Sequence, residues 1–110
     1  MKDSLETAAK CPTVQFPPGF DERCEFEMPA RGYLSDVTVK GDNGSVYKVY
    51  IVDPVRLQQT LEDGAEAGRP FFAEPGLIVV PEVTVESIRK AVTSLWHEGF
   101  FQHLKPAGGV

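Results

Sequence analysis

The sequence predicts an α+β domain: a small mixed or antiparallel sheet of three to four strands, with two helices mainly on one face in a two-layer arrangement. Three observations predict it. Leu77, Ile78, Val79 and Val80 form an unbroken apolar run between Gly76 and Pro81. Residues 33–52 read as a β-hairpin around Gly41-Asp42-Asn43-Gly44. Residues 84–98 read as a capped amphipathic helix.

Residues 1–22 are expected to form an irregular N-terminal arm. Its first ten residues are polar, and Pro12, Pro17, Pro18 and Gly19 argue against regular structure in the remainder. Val14, Phe16 and Phe20 interrupt that polar background, which predicts an arm pinned to the domain. From Arg23 to Met28 the chain alternates, with Cys24, Phe26 and Met28 set against Arg23, Glu25 and Glu27. A period of two predicts a half-buried strand, ended by Pro29.

The hairpin register follows from hydrophobic matching. A three-residue loop, Asp42-Asn43-Gly44 with Gly44 in the left-handed region, pairs Val39 with Tyr47, Val37 with Val49 and Ser35 with Ile51. Tyr33, Val37, Val39, Tyr47, Val49 and Ile51 then share one face. The other face carries Leu34, Val46, Tyr50 and Val52 among Asp36, Thr38, Lys40 and Lys48. That face is too apolar to be simply wet, so the N-terminal arm or a second subunit is expected to cover it.

Asp53 and Pro54 open the next helix as N-cap and first helical residue. Val55, Leu57 and Leu61 give it a modest apolar side, and Gly64 or Gly68 is expected to end it, with fraying after Asp63. Arg69-Pro70 breaks the helix, and Phe71-Phe72 leads into the apolar run. That run shows no alternation, which predicts a strand covered on both faces and therefore central in the sheet. Strand, helix and strand in this order permit a right-handed crossover, with the run parallel to the hairpin's second strand; an antiparallel placement stays open.

In the last helix Thr84 is the N-cap, and Val83 and Ile88 have the spacing of a hydrophobic staple. Glu86 sits in the first turn, where the helix dipole favours a negative charge. Val85, Ile88, Val92 and Leu95 recur at helical spacing, with Ala91 and Trp96 widening the stripe. Gly99 stops the helix and puts Phe100 where it can fold back on Leu95. The domain is expected to span residues 23–104, with a flexible tail over 105–110.

Composition narrows the function classes. The chain has 110 residues, 42% hydrophobic and 25% charged, with a net charge of −5, as expected of one soluble domain. Net acidity without a basic cluster argues against nucleic acid. No run is long enough to span a bilayer, and the first residues lack the apolar core of a secretory signal, so no membrane association and a cytoplasmic location are expected. Cys11 and Cys24, the two cysteines, fit a reducing compartment.

The residues carry no catalytic or cofactor motif. Cys11, Cys24, His97 and His103 lack the close pairing of metal ligands, and Gly99 interrupts His97-Glu98 before the second histidine. Neither a metal nor a cofactor is expected, and the reading leans away from an enzyme. His97 beside Glu98, with Asp36 or Asp53, is a weak acid–base set, since neighbours on a helix diverge. Asp21, Glu22, Glu25 and Glu27 read as a solvated face, with a basic partner as the alternative.

The aromatic residues are more informative. Phe71, Phe72, Trp96, Phe100 and Phe101 are more than a small core easily encloses, and exposed aromatic patches mark interfaces or pockets. The sequence therefore predicts a self-associating binding protein, a homodimer. Leu34, Tyr50, Val52, Phe100 and Phe101 are the expected interface. The alternative is a small-molecule-binding domain or minor enzyme. Its cleft between sheet and helices would be lined by Tyr33, Tyr47, Phe72, Trp96 and His97.

Overall fold

In a computed structural model, residues 12–41 and 44–106 are described. The expectations for residues 1–11, for Asp42 and Asn43 and for residues 107–110 lie outside them. The elements in chain order are β1 (Thr13–Gln15), α1 (Glu22–Arg31), β2 (Tyr33–Lys40), β3 (Val46–Val52), α2 (Pro54–Glu66), β4 (Leu77–Val79) and α3 (Val85–His97). A 3-10 turn over Phe100–His103 follows. The four strands form one mixed sheet in the order β1-β2-β3-β4. β1, β2 and β3 pair antiparallel, while β4 runs parallel to β3 through the α2 crossover.

The fold is the expected α+β mixture, with corrections. There are three α-helices among the described residues rather than two. The segment read as an alternating strand is α1. Asp21 caps it, its carboxylate accepting from the Cys24 amide at 2.9 Å. Glu27 bridges Arg23 and Arg31 one turn to either side, and Gly32 closes the helix in the left-handed conformation at φ 77°. Cys24 and Met28 fall on its inner side as an i, i+4 pair, and Phe26 points outward, 85% exposed. The apparent period of two came from Phe26, which takes no part in burial. The arm is likewise not irregular throughout. β1 adds to β2 with Val14 opposite Val39, and Phe16, stacked on Phe20 at 4.8 Å, lies under the Arg89 guanidinium of α3. The arm is pinned, as its apolar residues predict.

The hairpin has the expected register near its turn: Val39 faces Tyr47, Val37 faces Val49, and Gly44 is left-handed at φ 88°. The third expected pair fails. Ser35 and Asp36 bulge, with Asp36 at φ 60°, and Leu34 takes the place opposite Ile51. One extra residue flips everything beyond it. Leu34 therefore joins the core face, and Tyr33, paired with Val52, joins the other.

The core lies on one face of the sheet. Val37, Val39, Tyr47, Val49 and Ile51 meet Met28 of α1, Ile88 and Val92 of α3, and Phe101. Thr84 caps α3 in a reciprocal box with Ser87, each side chain accepting from the other's backbone amide at 3.0 Å. Val83 and Ile88, the expected staple, are both fully buried.

Residues 77–80 are not central: among the described residues β4 is an edge strand. Ile78 and Val80 enter the core, whereas Val79 is 47% exposed. Burial alternates along the run although polarity does not, so its unbroken apolar character was no sign of strands on both sides. Gly76, at φ 84°, holds β4 against β3: its carbonyl accepts from the Tyr50 amide at 3.0 Å.

α2 departs from the two-layer expectation. Its Arg56 guanidinium lies 4.5 Å above the Tyr33 ring, so the first turn sits against the sheet face opposite the core. Asp53 caps it, accepting from the Arg56 amide at 2.8 Å. The helix continues through Gly64 to Glu66. Gly68 ends it: its amide donates to the Ala65 carbonyl and that of Arg69 to the Gly64 carbonyl, the paired bonds of a Schellman motif.

Candidate functional site

The structure divides the aromatic residues into two groups on opposite faces of the sheet. On the core side, Tyr47, Trp96 and Phe101 form a triangle with ring centroids 5.4, 5.6 and 6.4 Å apart. Phe100 packs edge-on against Phe101 at 5.2 Å. β3 supplies Tyr47, the last turn of α3 supplies Trp96, and the 3-10 turn after Gly99 swings Phe101 beneath both. The three rings and Gln102 line a pocket of about 160 Å³.

On the other side, Tyr33, Tyr50 and Phe72 form a second run, with centroids 6.4 and 6.1 Å apart. Arg56 covers one end of it. The Arg56 Nε atom is buried with no hydrogen-bond partner among the described residues, so its contact with the Tyr33 ring is the compensation the structure offers. Val52 is buried although it points away from the core cluster. The chain's own crossover thus covers part of the face expected to await an arm or a second subunit.

Of the five predicted ligand residues, Tyr47 and Trp96 come together. Tyr33 and Phe72 lie across the sheet from them, and His97 is exposed at the end of α3. No one cleft holds all five. Of the predicted interface residues, Val52 and Phe101 are buried within the chain. Leu34 and Phe100 are half-buried against the core. Tyr50 is half-buried on the second face.

A second pocket of about 160 Å³ lies between the arm, α1 and β2, lined by Pro17, Phe20, Met28 and Tyr33 among others. Cys24, a free cysteine, opens into it with its thiol 3.9 Å from the Gly19 carbonyl. Sequence reading missed this pocket because it treated α1 as a strand. A shallower depression of about 320 Å³ runs between α2 and residues 69–73, where Arg69 lies 4.7 Å over the Phe71 ring.

The acidic segment is used locally. Asp21 caps α1, and the Cys24 amide, helped by its thiol, holds the Asp21 carboxyl below the usual carboxylate range. Among the described residues, no three His, Cys, Asp or Glu side chains assemble a metal site. No helix among them is long and apolar enough to cross a membrane. Comparison with protein-family models, curated proteins and solved structures finds no match to this chain.

Proposed function

We propose that this chain is a self-associating binding protein, a homodimer that buries the outer side of the β3–α2–β4 crossover. The observation that supports this reading is α2 itself, whose thirteen residues include none that is buried. Leu61 on this helix is 37% exposed, and farther along the crossover Phe71 and, in β4, Val79 are 56% and 47% exposed. An amphipathic crossover helix normally buries its apolar stripe, and apolar area left on one side of a domain is the usual substance of an obligate interface.

The sheet edges are poorer candidates. Both edge strands have three residues. Prolines bracket each: Pro12 and Pro17 around β1, Pro75 and Pro81 around β4. Short, proline-flanked edges resist pairing with another strand. Association therefore runs through side chains on the crossover, and two-fold symmetry is the commonest form. At micromolar concentration, sedimentation or light scattering is expected to give twice the chain mass of 12.1 kDa. Leu61→Lys with Phe71→Ser is expected to return one chain mass with the fold intact. A single-chain mass for the unaltered protein removes this reading.

A second reading, small-molecule binding, has its own support: Tyr47 and Trp96 line one pocket. Its volume falls below the roughly 300 Å³ at which drug-sized ligands begin to fit, so the ligand on this reading is small. A thermal-shift screen tests it, because a ligand of the folded state raises the melting temperature by mass action.

A further inference from the structure

We propose that residues 12–18 form a strap that opens about Gly19 while the rest of the domain stays folded, and so gates the outer edge of β2. The inference is independent of the two readings above, which concern the crossover and the pocket at Tyr47. The strap lies at the sheet edge opposite β4.

Little holds the strap in place. Its one regular element, β1, sets Thr13, Val14 and Gln15 against Lys40, Val39 and Thr38. Pro12, Pro17 and Pro18 have no amide to donate. Among the described residues, no backbone hydrogen bond joins Phe16, Pro17, Pro18 or Gly19 to the domain beyond the arm; the Phe20 amide donates to the Pro17 carbonyl at 3.1 Å, a turn within the arm itself. The Cys24 thiol, 3.9 Å from the Gly19 carbonyl, is a weak donor. Val14 and Phe16 do most of the anchoring, both half-buried against the core. Phe16 also stacks on Phe20 with centroids 4.8 Å apart and lies 5.3 Å below the Arg89 guanidinium.

The strap covers residues far better buried than its own. Val39, the partner of Val14, is 0% exposed, whereas no residue from 12 to 20 is fully buried. Local openings occur where buried apolar contacts and protected hydrogen bonds are few. Gly19 supplies the pivot. Its φ is 82°, and a β-carbon there would meet nothing within 4 Å, so among the described residues nothing packed beside it opposes rotation. Past the pivot, the Asp21 cap holds α1 in place. Opening detaches β1 and leaves β2, eight residues long, as the edge of the sheet. The closed strap keeps that edge from pairing with another strand.

Hydrogen exchange of the full chain, followed residue by residue by NMR, tests the proposal. Amides of the β1–β2 ladder are expected to exchange at least about a hundredfold faster than those of the β2–β3 ladder. Their exchange should also depend less on urea, because a local opening exposes little surface. Phe16→Ala is expected to speed exchange in the β1–β2 ladder about tenfold, and Arg89→Gln about two- to fivefold. Ile78→Val is the counter-test, since β4 lies at the far edge of the sheet and the change weakens the domain without touching the strap. It is expected to speed the β2–β3 amides about two- to tenfold and to leave the β1–β2 amides unchanged. Equal acceleration of both ladders by Ile78→Val overturns the proposal, because the strap then opens only when the whole domain unfolds. A β1–β2 ladder that neither Phe16→Ala nor Arg89→Gln accelerates overturns it as well.

Discussion

Gly76→Ala probes the β3–β4 junction, on which the crossover depends. Gly76 has φ 84°, where an L-residue is strained by about 1 kcal/mol. A β-carbon built there lies 2.5 Å from the Lys48 carbonyl oxygen and 3.4 Å from the Val49 α-carbon. Both are backbone atoms, so no side chain can swing aside and β4 must move off β3. That movement endangers the Tyr50 amide bond to the Gly76 carbonyl, worth about 1 kcal/mol. It also loosens Ile78, whose partial exposure adds about 1 kcal/mol. The expected loss is therefore about 3 kcal/mol. Gly68→Ala is the control. Gly68 has φ 87°, and a β-carbon there meets nothing within 4 Å, so it carries the conformational strain alone, about 1 kcal/mol. Urea unfolding of both variants, with the slope unchanged and the midpoint shifted, measures the difference. If Gly76→Ala proves no more costly than Gly68→Ala, the close parallel packing of β4 on β3 is refuted.

Two further predictions concern helix caps. Thr84→Ala removes the hydroxyl that accepts from the Ser87 amide at 3.0 Å and is expected to lower stability by about 1 kcal/mol in the same urea assay. Asp21 has a folded-state pKa below its unfolded value. Its stabilisation is therefore present above the unfolded pKa and is lost as pH falls through the folded one. Asp21→Asn keeps a capping side chain but cannot titrate. Melting temperatures measured from pH 5 down to about 2 should fall less steeply in this variant than in the parent chain. Equal slopes would remove Asp21 from the acid limb.

Much of the hairpin and of the last helix was legible because their signals act over a few residues. Thr84 is the cap and Gly99 the stop, and Val83 with Ile88 forms the staple, all within one or two turns of their own helix. Gly44 sets the loop, and hydrophobic matching places Val37 and Val39 opposite Val49 and Tyr47. The same matching could not see the bulge. Asp36 at φ 60° is a conformation many residues avoid and no pattern announces, yet it moves Leu34 to the core and Tyr33 to the opposite face. α1 was misread for a related reason. Over six residues, Cys24, Phe26 and Met28 suit a period of two as well as Cys24 and Met28 suit a helical one. What decided between them was the Asp21 cap and the left-handed Gly32.

The aromatic site shows the same division. That Tyr47 and Trp96 share a pocket was readable only as part of an expected five-residue aromatic cleft. That Phe101 completes the set, while Tyr33 and Phe72 lie behind the sheet, was not. Side-chain partnership across the sheet depends on strand order and on which face α2 crosses, and neither leaves a trace in local periodicity. Caps, turns and stripes are written into neighbouring residues because their hydrogen bonds and contacts close within a few positions. Coverage of a face is set by whichever distant segment arrives there. So the chain's own order of residues settled what the elements are, and packing between remote elements settled which aromatic rings meet.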